Sequence, residues 1–218
     1  MVLVLGVDEA RKGSIIGDMV ICGVLVEESK EERLRELGVK DSKLLTQKTR
    51  EILFPKILKI IKKHKAVILS PKEIDKAVNK ENGLNLNWLE AHKIALIINE
   101  LKPDKAIIDC PSPNIKKYKE YLLNLLNNKK IELIVEHRAE KHMPVAAASI
   151  MAKVIAEDQL RKLKKILKID FGSGYTSDPY TQKFVKENFN KYPEIFRKSW
   201  STWKNHDNAK KQHKLDEF

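Results

Sequence analysis

Apolar residues fall along this chain in short runs separated by charged, amphipathic stretches. Residues 2–7 (Val2-Leu3-Val4-Leu5-Gly6-Val7) and 19–26 form two such runs, and their length predicts strands, with Gly13 and Gly17 punctuating the turn region between them. A short charged helix is expected over about 29–37, with Gly38 placed to end it. Thr46 can cap a following helix that carries Leu53, Ile57, Ile60 and Ile61 on one face, and Pro55 inside it predicts a kink or a break. Ala66–Leu69 reads as a strand. Ser70-Pro71-Lys72-Glu73 then supplies a cap, a proline at the first helical position and a glutamate three residues after the cap, which together start a helix. Helical periodicity continues over 86–100, 114–127 and 143–168, while 105–109 and 131–135 read as extended. Beyond 168 the pattern gives shorter helices broken by Gly and Pro. Strands alternating with helices predict an α/β layer fold.

Length and composition narrow the function classes. A chain of 218 residues that is 42% hydrophobic can bury one sizeable core, with a small C-terminal appendage. No apolar run is long enough to span a membrane, and the opening run lacks a basic leader and stops at Asp8-Glu9, as a buried strand would. Cys22 and Cys110 sit in apolar surroundings without metal-ligand spacing, so neither a disulfide framework nor a zinc site is expected, and a reducing cytoplasm fits. The net charge is +12, and residues 151–218, with fifteen basic and nine acidic side chains, supply +6 of it. Such a surplus favours a polyanionic partner through counterion release. A lysine-rich thermophile proteome gives the same surplus, so charge alone does not name a substrate.

The chemistry-bearing candidates are carboxylates at strand ends. Asp8 and Glu9 close the first apolar run, and Asp109 closes Ala106-Ile107-Ile108. Adjacent side chains on a strand point to opposite faces, but a strand end lets both members of a pair reach one site. Carboxylates gathered at a sheet edge repel one another, and a divalent cation with an all-oxygen shell relieves the repulsion. Acids also end strands for the ordinary reason that they cap the next helix. The spacing by itself therefore reaches only a candidate metal site in an α/β fold. The histidines at 92, 137 and 142 are scattered, and the tryptophans at 88, 200 and 203 read as core residues on amphipathic helices before they read as base-stacking platforms.

Gly6-Val7-Asp8-Glu9-Ala10-Arg11-Lys12-Gly13-Ser14 resembles the opening motif of the ribonuclease HII family, archaeal type. Gly38-Val39-Lys40-Asp41-Ser42-Lys43-Leu44-Leu45-Thr46 resembles its Asp-Ser-Lys block, Ile107-Ile108-Asp109 the strand with the third acid, and Ala146–Val154 its small-residue helix. Gly172-Ser173-Gly174-Tyr175 resembles the late Gly-Ser-Gly-Tyr loop, and Ser199-Trp200-Ser201-Thr202-Trp203 the ending, so the resemblance covers about residues 3–205 in order. It implies a ribonuclease H-like mixed β-sheet flanked by helices, with a small helical C-terminal region. The implied division is a catalytic domain over 1–168, a C-terminal helical region with the substrate loop over 169–205, and a tail over 206–218. The implied activity is endonucleolytic hydrolysis of the RNA strand of RNA/DNA hybrids and of single ribonucleotides embedded in duplex DNA. The cut falls 5′ to the ribonucleotide and leaves 3′-hydroxyl and 5′-phosphate ends, with two Mg²⁺ or Mn²⁺ ions.

Position by position, the resemblance makes Asp8, Glu9 and Asp109 metal ligands, gives Lys43 a backbone phosphate and lets Tyr175 pack on the sugar after the ribonucleotide. The small side chains at 146–149 read as tight helix packing. Two departures from the family stand out. Arg11-Lys12-Gly13 replaces the usual Gly-Arg-Gly, a loop that meets the 2′-hydroxyl mainly through its backbone; Arg11 could add a phosphate contact, or it could lower activity or loosen discrimination. The fourth acid is Glu140, one residue nearer Ser149 than the family spacing, with Asp158 as the second choice. A catalytically weakened nucleic-acid-binding protein on the same fold, or an enzyme preferring long hybrids as ribonuclease HIII does, are the competing readings. Finally, Gln212, Leu215 and Phe218 have the spacing of a peptide that docks on the sliding clamp PCNA.

Overall fold

The computed structural model describes residues 1–40, 42–81 and 83–205. Its contacts divide into two compact units. The first comprises Met1–Ala10, Val20–Ile68 and Leu86–Glu157, and the second Arg11–Met19, Leu69–Asn85 and the chain from Asp158 onward.

In the first unit, the two early apolar runs become β1 (Leu3–Ala10) and β2 (Met19–Glu27), paired antiparallel with Asp8 opposite Cys22. With β3 (Lys63–Leu69), β4 (Lys105–Asp109) and β5 (Glu132–Glu136) they form a five-stranded mixed sheet in the order β3-β2-β1-β4-β5, in which β1, β4 and β5 run parallel. β2 is buried along nearly its whole length because both of its faces are covered. Its even positions, Val20, Cys22, Val24 and Val26, enter a core with α1 (Glu31–Glu36), α2 (Gln47–Leu58) and the first half of α6 (Met143–Leu167). On the other face a Cβ at Gly23 would meet Ile97 of α4 (Leu86–Leu101), which packs with α5 (Ile115–Leu125). The edge strand β3 opens Lys63-His64-Lys65, and charge on an exposed edge discourages pairing with another chain.

The expected elements are present within a few residues of their expected ends. Thr46 caps α2 by accepting from the Thr49 N–H. Pro55 does not break that helix, since Leu53 and Ile57 on either side of it are buried in the core. The single amide donor lost to the proline is outweighed by that burial. Ser70 and Glu73 form the full reciprocal capping box at the start of α3 (Pro71–Val78).

The second unit has its own core, in which Ile15, Ile16, Leu160, Phe171, Phe184, Val185, Ile195 and Phe196 are buried together. It carries α3, the end of α6 and α7 (Pro179–Asn188), whose start is capped by Asp178. Trp203 packs at that core's margin against Phe196. Among the described residues, no helix is long and apolar enough to cross a membrane.

Candidate active site

Strand register decides which acids can meet. β1 and β4 pair Gly6 with Ile107 and Val7 with Ile108, so one step further along the same ladder Asp8 and Asp109 are neighbours on one face. That face is the one Gly6 turns toward α6. A Cβ at residue 6 would overlap the backbone of Pro144 and Val145, so only glycine lets the helix start sit this close to the strand. By alternation Glu9 points to the opposite face, where its charge acts on the buried phenol of Tyr118 in α5. Its backbone N–H turns back and donates to Asp8 Oδ1 at 2.7 Å.

Glu140 joins the pair from a different direction. It lies in the 3₁₀ turn Ala139–Lys141, which Arg138 opens in the left-handed conformation at φ 58°. The Ala139 N–H donates to Asp109 Oδ1 at 3.1 Å, so one carboxylate holds the turn that carries the next. Asp8 and Glu140 are each 6% exposed. The Asp8 carboxyl is pushed up to about 7, mainly by burial and also by the charges of Asp109 and Glu140, against the opposing Ser149 hydroxyl and Glu9 N–H. Asp109 is also raised, first by burial and then by Glu140, against the Ala139 N–H and the charge of Lys43. The Lys43 ammonium sits 2.8 Å from Glu140 Oε1. Asp158, the other candidate for fourth acid, pairs instead with Lys162 one turn along α6 at 2.7 Å and is half exposed.

A hydroxyl network that sequence reasoning missed supports Asp8. Ser149, which hydrogen-bonds Asp8, lies 2.7 Å from the Ser42 hydroxyl, and Lys153 Nζ donates to that same hydroxyl at 2.5 Å. Arg50 holds the backbone of the same segment through the carbonyls of Ser42 and Leu45, both at 2.8 Å. Ala146, Ala147 and Ala148 are core residues, as small side chains on a packed helix should be, whereas Ser149 belongs to this network. The signal was a single hydroxyl at the end of an alanine run, followed by a lysine one turn on. Beside Glu140, a groove of roughly 520 Å³ is lined by Lys40, Lys43, Arg138, Glu140, Lys141 and Met143.

Among the described residues, no group of three or more His, Cys, Asp or Glu side chains stands close enough to grip an ion as placed. The donor set nonetheless fits a hard divalent cation. Asp8, Asp109 and Glu140 offer only oxygen, and the charges of Asp109 and Glu140 raise Asp8 while that of Glu140 raises Asp109, a repulsion that such an ion relieves.

Arg11, Lys12, Gly13 and Tyr175 lie in the second unit. Arg11 takes the left-handed conformation at φ 64°, which a glycine adopts without strain and an arginine does not. Its side chain is buried. Nη2 donates to the Ser173 carbonyl at 2.8 Å and the Ile16 carbonyl at 3.2 Å, and the guanidinium lies 5.1 Å from the centre of the half-buried Tyr175 ring. Arg197, also unforeseen from sequence, is fully buried and donates to the Gly17 carbonyl (3.2 and 3.1 Å) and the Lys12 carbonyl (2.5 Å). Burial and the neighbouring Arg11 charge lower it to about 10. Asp75 accepts from the N–H groups of Lys198 and Ser199, both at 2.9 Å, and so fixes the segment that carries Arg197. The clamp-peptide residues Gln212, Leu215 and Phe218 lie outside the described residues.

A family model described as ribonuclease HII matches residues 5–203. A ribonuclease HII of Pyrococcus furiosus is 40% identical over 223 residues, covering 98% of this chain and 96% of that protein. The crystal structure of the ribonuclease H2 from Pyrococcus horikoshii superposes with a TM-score of 0.85 at 38% identity, covering 95% of this chain and 98% of that one. A ribonuclease HII solved in complex with PCNA, from Archaeoglobus fulgidus, gives 0.82 at 38% identity over 93% of this chain and 96% of that one. The mixed sheet flanked by helices is thus the ribonuclease H-like fold of these relatives. Because the likeness runs at this identity through nearly the whole of both chains, the protein belongs to the ribonuclease HII family.

Proposed function

We propose that the protein is a metal-dependent endoribonuclease that cuts 5′ to a ribonucleotide, both in RNA/DNA hybrids and at single ribonucleotides embedded in duplex DNA, leaving 3′-hydroxyl and 5′-phosphate ends. The observation that carries this reading is the convergence of Asp8, Asp109 and Glu140 on one face of the sheet, with Asp8 lifted by burial and by its acidic neighbours. Glu9 follows Asp8 at the strand end and is the remaining proposed ligand, although its side chain must turn from the opposite face of β1 to reach the ions. Bound by these carboxylates, Mg²⁺ or Mn²⁺, two ions in turnover, supplies an activated water and stabilises the leaving 3′ oxygen. The chain's own groups do the rest. Asp109 sets the Glu140 turn through the Ala139 N–H, Ser149 orients Asp8, and Lys43, on Glu140 and beside a groove lined with basic side chains, is placed to take a phosphate once the carboxylate has another partner. In the second unit, Lys12 and Gly13 present backbone to the ribose 2′-hydroxyl, and Tyr175 packs on the following sugar.

The deciding experiment compares a duplex containing one ribonucleotide with a uniform RNA/DNA hybrid, with Mg²⁺ or Mn²⁺ present and with chelator. Cleavage of both, at the 5′ side of the ribonucleotide and only with metal, is the expected result. Cleavage of the hybrid alone would support a hybrid-preferring enzyme instead. Tight binding without cleavage would leave a nucleic-acid-binding protein.

We further infer that Gln212, Leu215 and Phe218 dock on a sliding clamp. Support comes from their spacing and from the relative of Archaeoglobus fulgidus, which was solved bound to PCNA.

A further inference from the structure

Arg11 is where this chain departs from its family's glycine, and it is an arginine held in a backbone conformation that glycine tolerates best. A strained residue persists when its surroundings over-determine it. Here the surroundings are specific. The guanidinium donates to the carbonyls of Ser173 and Ile16 and faces the Tyr175 ring, and the Arg11 carbonyl in turn accepts from the Ser14 hydroxyl at 3.1 Å. The two segments it joins are also tied backbone to backbone, with the N–H groups of Ile15 and Ile16 both donating to the Gly174 carbonyl, at 2.9 and 3.2 Å. Gly174 has φ 80°, and a Cβ there would run into the Arg11 guanidinium, so the glycine makes the room that the arginine fills. With Nη2 bonded to the Ser173 and Ile16 carbonyls and its side chain buried, Arg11 is poorly placed to reach a phosphate.

We propose that Arg11 is a positioning residue for Tyr175: its guanidinium locks the Ser173–Tyr175 segment and the Tyr175 ring in the orientation that packs on the substrate sugar. This rests on the reading of Tyr175 given above and adds a device that a glycine at residue 11 cannot supply. A ring fixed before substrate arrives need not be ordered during the reaction, so the arginine acts on turnover more than on binding.

The test pairs kinetics with a spectroscopic reporter. With a duplex carrying one ribonucleotide and saturating Mg²⁺, R11G should lower kcat roughly tenfold, the scale of a partly desolvated cation–π contact with its hydrogen bond, while KM moves less than about twofold. R11K, which keeps the charge but not the fork, should fall between. Y175A should be slow by itself, and adding R11G to it should cause no further loss. In protein carrying 3-fluorotyrosine at position 175, R11G should shift the ¹⁹F resonance with the fold intact by circular dichroism. Wild-type or faster turnover by R11G beside a slow Y175A, losses that multiply in the double variant, or an unmoved resonance would each overturn the proposal. If Y175A cleaves normally, the sugar-packing reading of Tyr175 fails by itself. The fluorine resonance then decides the positioning role alone, a shift in R11G supporting it and an unmoved line ending it.

Discussion

At the ends of β1 and β4, negative charge is buried among more negative charge, whereas around Arg11 and Arg197 positive charge is buried among backbone carbonyls. Asp8 has Asp109 and Glu140 for neighbours and is held by the Ser149 hydroxyl and the Glu9 amide. Arg197, buried just as deeply, has its guanidinium donating to Gly17 and Lys12. The first arrangement carries an electrostatic penalty that Lys43, paired with Glu140, relieves only in part and that a cation from outside can offset. In the second, carbonyl acceptors meet both guanidinium groups, although burial and the Arg11 charge still lower Arg197. The two arrangements fit the roles proposed for them, since a metal site must receive charge and a loop that shapes a substrate must keep its shape.

The sharpest way to break the comparison is to neutralise each side. D8N or D109N should abolish cleavage, by roughly 10⁴-fold or more as for other essential members of a catalytic group, with substrate affinity within a few-fold because binding is mostly phosphate electrostatics. Single-turnover cleavage and filter binding measure the two separately. The same D8N protein, in chelator, should melt a few degrees higher than wild type, since a neutral amide removes repulsion worth about 1 kcal/mol. Undiminished cleavage would remove Asp8 from the metal site, and a sharp drop in melting temperature would mean that the carboxylate is structural.

The reverse holds for Arg197. R197A leaves the Gly17 and Lys12 carbonyls buried without their donors, at about 1–3 kcal/mol for each unsatisfied group, so a loss of roughly 5–10 °C in melting temperature is expected. Activity per folded molecule should fall far less than in D8N. A variant that melts like wild type would show that the loop does not depend on this guanidinium.

Much of this was legible before the structure, and the residues show why. Thr46, Ser70 and Glu73 act locally, and their side chains bond amides three residues away, so spacing alone located α2 and α3. Asp8 and Asp109 were visible because an acid after an apolar run marks a strand end. That they share a face depends on a register between strands about a hundred residues apart, which no local pattern encodes. The same alternation places the Glu9 side chain on the other face of β1. Arg197 was missed because a buried guanidinium paired only with carbonyls leaves no acidic partner in the sequence to announce it. Arg11 was noticed only as a departure from a motif; its contact with the Ser173 carbonyl, 162 residues away in the chain, is tertiary.

A smaller effect is expected at Lys43, whose side chain is 68% exposed beside the buried Glu140. K43A should raise KM several-fold, leave the melting temperature unchanged, and reduce the salt dependence of binding by about one phosphate contact. An unchanged salt slope with reduced kcat would move Lys43 from phosphate contact to the chemistry itself.

The least effect on chemistry is expected from the tail. Deleting residues 206–218 should leave the rate on a short duplex within about twofold of wild type, because every residue proposed to hold metal or touch nucleic acid lies at or before Tyr175. Its contribution should show only with the clamp present. Leu215 and Phe218, three apart, can project together from one helical turn, and each apolar anchor contributes roughly 1.5–3 kcal/mol if fully buried. Ordering a peptide on docking offsets part of that, so affinity for the isolated clamp should be modest, and the ring should act mainly by tethering the enzyme to DNA. Titrating wild type and an L215A/F218A double variant against the clamp of the same organism separates the cases. Loss of binding in the variant with unchanged cleavage of free duplex is the expected outcome. Equal binding by both proteins, or binding by neither, would leave the segment without a clamp role.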